Sequence, residues 1–294
     1  MTPRASIIIR TRNEARHLPD LLTALAGQTV AEPDRQVIVV DSGSNDGTLA
    51  IAERYRCRVL HISQDEFSFG RSLNIGCAAA RGHSLVFVSG HCIPTTSAWL
   101  EGLIAPLERG EAALTYGRQQ GSAATKLSEQ QHFRKCFPSE GEVAPNGFFC
   151  NNANAAVLAD VWASYRFDES LTGLEDLHFA KRVVADGLKI RYVPDSPVVH
   201  HHDESWRQVI RRFEREAIAL QGIMPEVHVR ATDAMRYFAV GTLRDFARAR
   251  RERRLLKNAW AVAAFRFCQY YGSWKGNHMH RTLSRKARER YFYP

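Results

Sequence analysis

At 294 residues the chain exceeds the usual single-domain size and has room for one large domain and an extension. Its composition, 45% hydrophobic and 24% charged with no long low-complexity tract, excludes a disordered or fibrous protein and supports a packed core. The net charge of +9 does not describe a uniformly basic surface, because residues 1–204 hold 20 Lys and Arg against 24 Asp and Glu, while residues 205–294 hold 20 against 7.

From the N-terminus, Ala5–Arg10 (ASIIIR) reads as a strand, and Leu18, Leu21, Leu22 and Leu25 then recur at helical spacing. Gln36–Val40 (QVIVV) is a second strand, ending in Asp41 and the turn-forming SGSNDG. Leu49–Tyr55 reads as a helix, Arg58–His61 as a short strand, Ser72–Ala80 as a helix and Ser84–Val88 (SLVFV) as a buried strand followed by SGHCIP. Strands alternating with helices mark βαβ units and a parallel sheet. Ligands in open α/β sheets bind beyond the carboxyl ends of the strands, and here those ends carry Thr11–Glu14, Asp41–Gly47 and Ser89–Cys92.

Further on, Glu175 and Asp176 open an amphipathic helical pattern. Carboxylates in a first helical turn are favoured by the macrodipole, and a carboxylate is also what transfer to a hydroxyl needs to take the acceptor proton. Beyond Ser205 the pattern becomes helical and Arg-rich. Leu256, Trp260, Ala263, Phe267 and Tyr270 recur at spacings of four and three behind RDFARARRERR. Such a helix either lies on an anionic lipid surface or packs its stripe on protein while the arginines are solvated. The six cysteines include no Cys-x-x-Cys pair and read as free thiols in a reducing compartment. No secretory signal core is evident, and no stretch approaches the roughly 20 apolar residues that span a bilayer. The expectation is a cytoplasmic protein, peripheral to a membrane if associated with one, with no nucleic-acid partner.

Four segments in order, SIIIRTRNEARHLPDLLTALAGQT, VIVVDSGSNDGT, RSLNIGCAAARGHSLVFVSGHCIP and FDESLTGLEDLHFAKRVVADG, resemble the family 2 glycosyltransferases across roughly residues 4–204. The resemblance implies an α/β GT-A fold, a Rossmann-like mixed sheet flanked by helices. A catalytic domain over 1–204 and a basic helical extension over 205–294 complete the expected organisation. It also implies a hexosyl- or deoxyhexosyl-type enzyme moving a sugar from a nucleoside diphosphate donor to a carbohydrate or lipid-linked acceptor, in cell-surface polysaccharide synthesis. A sugar nucleotidyltransferase is the enzymatic rival, but RTRNEARH is not its Gly-rich basic loop. A basic membrane or nucleic-acid adaptor is the non-enzymatic one.

Asp41, at a strand end, is suited to accept from a base N–H. By the resemblance Thr11, Arg12, Glu14 and Ser89 line the donor nucleotide, and Arg71 meets its negative charge. The same resemblance makes Asp176 the catalytic base beside Glu175, predicts inversion, and places Asn154 at the acceptor, where a plain surface loop is the other reading. Family members usually carry D-x-D after the fourth strand, where this chain has Ser89, Gly90 and His91. That segment resembles the D-x-H motif of polypeptide N-acetylgalactosaminyltransferases, whose His ligates a metal, and PDSPVVH matches their second ligand position at His200. His201 and His202 are adjacent substitutes for it. A divalent ion held by His91, His200 or His202 is therefore expected, with imidazole favouring Mn²⁺ over Mg²⁺.

Overall fold

The computed structural model describes residues 2–141 and 147–278. The chain forms two compact bodies. The first comprises the chain up to Gln120, Cys136–Ser170 and Glu175–His201; the second takes Gly121–Lys135, Leu171–Leu174 and the chain from His202 onward. The second body thus draws in two segments that precede residue 204.

In the first body β1 (Ala5–Thr11) leads to α1 (Leu18–Ala26), β2 (Arg35–Asp41), α2 (Thr48–Arg54), β3 (Arg58–His61), α3 (Phe69–Ala79) and β4 (Ser84–Ser89). There follow β5 (Cys92–Pro94), α4 (Trp99–Glu108) and β6 (Leu114–Gly121); then, past α5 (Leu127–Cys136) of the second body, β7 (Asn154–Leu158), α6 (Ala159–Tyr165), α7 (Glu175–Ala185) and β8 (Ile190–His200). Eight strands form one sheet in the order β3-β2-β1-β4-β7-β6-β8-β5. β1 to β4 run parallel, as their alternation with helices predicts, whereas β7 is antiparallel to β4, β6 to β7, and β5 to β8. The antiparallel half is less legible in sequence. β8 contains Pro194 and Pro197, which argue against a strand, and β6 is interrupted by Gly117 and ends in polar residues.

β1, β2 and β4 carry uninterrupted apolar runs at residues 7–9, 37–40 and 85–88, as strands covered on both sheet faces do. Leu18, Leu21, Leu22 and Leu25 of α1 all pack into one core with Ile7, Ile9, Val86, Val88 and Trp99. Register then fixes the site: Thr11 pairs with Asp41 and Arg10 with Ser89, so three polar strand ends lie side by side.

In the second body α5 is joined by α8 (Trp206–Ile223), α9 (Ala231–Arg251) and α10 (Leu255–Asn277). A capping box between Ser205 and Gln208 starts α8. α8 and α10 approach closely at Gly272, where a Cβ would press on the Ile210 carbonyl. Val209, Phe213, Phe265 and Cys268 fill one small core, and Leu127, Ala249 and Val262 another. No helix of the described residues is long and apolar enough to cross a membrane. All six cysteines are free thiols.

Candidate active site

The loops after β1 and β2 are laced together by short polar side chains. Asp41 Oδ1 accepts from the Thr11 hydroxyl at 3.1 Å and from the Ser44 hydroxyl, while Oδ2 accepts from the Gly43 and Ser44 amides at 2.9 Å. The buried Asp41 carboxylate, expected to meet a base N–H, has both oxygens engaged in shaping the turn. Asn13, left-handed at φ 56°, exchanges bonds with Ser44 and Asn45. Asp46 accepts from the Ala15 amide and from both the amide and hydroxyl of Thr48. Its burial opposes ionisation, but those hydrogen bonds prevail and hold the carboxyl below its ordinary range. Asp46 is a brace between loops. Arg12, next to Thr11, is half-buried.

Beyond β4, Gly90 lets the chain pass against Glu14, since a Cβ there would lie 2.8 Å from Glu14 Cγ. The Glu14 carboxylate consequently reaches His91, with Oε1 2.7 Å from Nδ1. The His91 ring stacks on His200 at a centroid distance of 5.1 Å. β5–β8 pairing sets Cys92 opposite His200 and so brings these two imidazoles together from distant parts of the chain. His200 Nδ1 lies 2.7 Å from Gln119 Oε1, and the Gln119 amide donates to Asn151 Oδ1 at 2.9 Å. His202 belongs to the second body, where its Nδ1 is 2.7 Å from Glu129 Oε1. All three predicted ligand imidazoles thus hold Nδ1 against an acceptor oxygen. A neutral ring in that tautomer carries its lone pair on Nε2, the arrangement in which histidines bind metals.

On the carboxylate side, Leu174 has φ 56°, left-handed for a non-glycine residue, immediately before α7. Glu175 is ion-paired with Arg10 at 3.0 Å. Asp176 is buried, accepting from the Asn152 amide at 3.0 Å and the Leu177 amide at 2.8 Å. Desolvation first, and then the adjacent Glu175 charge, raises the Asp176 carboxyl well above the ordinary carboxylate range despite those amides. The Asn152 carboxamide Nδ2 is buried and finds no partner among the described residues.

The sequence model of the family described as glycosyl transferase family 2 matches residues 6–167, more than half of the chain. The chain belongs to glycosyltransferase family 2. It is 28% identical over 189 residues to the O-antigen chain rhamnosyltransferase WbaN of Salmonella anatum, covering 60% of each chain. It is also 28% identical over 207 residues to glycosyltransferase AglE of Haloferax volcanii, covering 66% of this chain and 65% of the other. The chain therefore spans less than two thirds of these relatives' lengths. Among solved structures, mannosyltransferase PcManGT from Pyrobaculum calidifontis, in complex with GDP-Man and Mn²⁺, matches with a TM-score of 0.65 and 16% identity, covering 96% of this chain and 89% of that one. Glucosyl-3-phosphoglycerate synthase from Mycobacterium tuberculosis, in complex with Mg²⁺ and UDP, matches with a TM-score of 0.56 and 18% identity, covering 75% and 79%. These likenesses show the fold, which is the GT-A fold.

One residue takes a place other than the one expected. Asn154 does not face an acceptor. It is wholly buried, receiving the Trp99 indole N–H at 2.8 Å and donating to the Arg118 and Ser196 carbonyls at 3.0 and 2.8 Å, so its polar atoms tie four segments of the core. The guanidinium of Arg71 is engaged by Glu66 at 3.0 Å on an exposed surface. Conversely, Asn151, Asn152, Gln119 and Arg10 were missed. The run NNAN offers three closely spaced carboxamides, and only the fold shows that Asn151 and Asn152 support the His200 and Asp176 sides while Asn154 is the core tie. Gln119 and Arg10 carry no motif of their own.

Proposed function

We propose that this chain is an inverting, metal-assisted glycosyltransferase that moves a hexosyl or deoxyhexosyl group from a nucleoside diphosphate sugar to a hydroxyl of a glycan or lipid-linked acceptor in surface-polysaccharide assembly. The observation that carries the reading is the Asp176 carboxylate: buried, made more basic by burial and by Glu175, and held by two backbone amides at the start of α7. Proton transfer is most effective when the base's affinity lies near the working pH, and an ordinary carboxylate is too weak. Arg10 pairs with Glu175, and its charge opposes the rise at Asp176 without cancelling it. Asp176 takes the acceptor O–H proton as the acceptor oxygen bonds to the anomeric carbon and the bond from that carbon to the diphosphate breaks, with inversion. The buried Nδ2 of Asn152 is a donor positioned beside this base for a sugar hydroxyl.

Thr11, Arg12, Glu14, Asp41 and Ser89, at adjacent strand ends, form the donor side in this reading, with Asp41 acting mainly by presenting the loop backbone. The divalent ion falls to His91 and His200, whose Nδ1 atoms are oriented by Glu14 and Gln119. When bound, it supplies positive charge to the departing diphosphate. Imidazole ligands and the absence of a carboxylate at Ser89 favour Mn²⁺ over Mg²⁺. PcManGT, in complex with GDP-Man and Mn²⁺, shares this fold and supports the choice.

Asp176→Asn keeps the size and removes the base, and its single carboxamide oxygen retains one of the two amide contacts. The expected result is a loss of roughly 10² to 10⁴ in turnover with nucleotide-sugar binding retained, measured by single-turnover assay and calorimetry. Wild-type turnover in the variant, or a product whose anomeric configuration by NMR matches the donor, would overturn the reading.

A further inference from the structure

The tail stripe does not pack on protein over its length. Along α10, Leu256, Trp260, Phe267 and Tyr271 lie on one face, and Leu256 and Trp260 are 98% and 78% exposed. The stripe continues through Tyr271 where the sequence spacing suggested Tyr270, because Tyr270 turns toward α9 and packs against Tyr237 with ring centroids 5.9 Å apart. Phe267 and Tyr271 stack on one another, 5.6 Å apart and nearly parallel, so the aromatic surface is continuous.

Charge collects at the end of this face that exposes most apolar area. Arg250 and Arg251 close α9, Arg253 and Arg254 make the turn, and Lys257 lies in the first turn of α10; all five are exposed. The only acid in the α9–α10 turn, Glu252, is engaged by Arg248 and Arg134. Residues 255–278 contain no Asp or Glu. An exposed Trp and Leu flanked by unopposed cations is the chemistry of an interfacial helix: indole and aliphatic groups enter the headgroup boundary while guanidiniums meet lipid phosphates. A second copy of the chain fits less well, since a two-fold contact through this face would oppose like charges.

We infer that the α9–α10 turn and the adjoining face of α10 dock the protein on an anionic lipid bilayer, with Leu256 and Trp260 inserted. The inference is independent of the catalytic reading, because it concerns the second body alone. Such docking would hold the enzyme where lipid-linked acceptors reside.

The test is flotation of the full chain with vesicles of phosphatidylcholine containing roughly one third phosphatidylglycerol, against phosphatidylcholine alone, at low and high salt. Wild-type protein should float only with the anionic vesicles and release as salt rises. Leu256→Asp with Trp260→Asp, and separately Arg250→Glu with Arg251→Glu, should each lower binding by about tenfold or more with unchanged thermal unfolding, all four side chains being exposed. Equal flotation of the Leu256/Trp260 variant would overturn the inference. So would absent flotation together with a wild-type dimer that this variant dissociates, which would assign the face to a second copy. Salt-sensitive binding to duplex DNA that ignores Trp260 while vesicles fail to bind would assign it to nucleic acid.

Discussion

The two bodies place their aromatic and charged residues in opposite ways. In the first, tryptophan is used for the core: Trp99 is fully buried and its indole N–H is satisfied by Asn154, while ionisable groups cluster at strand ends where a ligand would sit. In the second, an ion network lies inside. Arg212 bridges Glu129 and Glu204, His202 also engages Glu129, and Arg266 pairs with Asp245, whereas Trp260 and Leu256 face solvent. The same residue types therefore carry different meanings. A buried polar group is a structural tie where every atom has a protein partner, as in Asn154, and a candidate for chemistry where an atom is left over, as in Asn152.

The comparison is tested most severely by the paired substitutions Trp99→Ala and Trp260→Ala. The first removes a buried ring and strands Asn154 Oδ1, and should cost roughly 3 to 5 kcal/mol in denaturant unfolding. The second should change stability by less than about 0.5 kcal/mol. Similar costs at both sites would show that the exposed stripe is covered in solution.

Acid should separate the bodies next. Burial opposes the Glu129 charge, but the His202 hydrogen bond and the His202 and Arg212 charges prevail and lower its carboxyl to about 2. A carboxyl lowered on folding stabilises above its unfolded pKa, about 4.3, and that contribution drains away as pH falls from there toward 2. Burial, followed by the Arg212 and Arg266 charges, lowers His132 to about 4. A histidine lowered on folding stabilises fully above about 6.5, and its contribution is lost as pH falls through that value toward 4. Stability of the second body should thus decline progressively below neutrality, and His132→Gln should flatten the upper part of that decline. Unfolding free energies measured from pH 7 to 4 would show it; identical pH slopes in wild type and variant would remove His132 from the account.

A smaller effect should follow from Gln119→Leu, which deprives His200 Nδ1 of its acceptor. Loss of such an orienting contact typically weakens metal affinity by about 10- to 100-fold, and Gln119→Glu should preserve it. Mn²⁺ titration followed by paramagnetic resonance reads this without an activity assay. Unchanged affinity in the Leu variant would leave His200 outside the metal site.

Much of the first body was legible because its signals are local. Short apolar runs, a leucine pattern at helical spacing and a turn rich in Ser, Asn, Asp and Gly specify β1, α1, β2 and the following loop whatever the rest of the chain does. The order of four motifs was enough to name the family that the match over residues 6–167 then showed. Non-local pairing was not legible. β8 carries two prolines and β6 a glycine, so neither announces itself, and the β5–β8 register that stacks His91 on His200 exists only once both strands have joined the sheet. Motif position likewise could not distinguish Asn151, Asn152 and Asn154, whose roles depend on which partner each meets across the sheet. The sequence by itself determined the elements, the charge asymmetry and the residue types available for chemistry, because these follow from local periodicity and composition. Tertiary structure alone decided which side chains are consumed as ties and which remain directed at a site, because burial and hydrogen-bond partners are properties of segments from 24 to 165 residues apart in the chain.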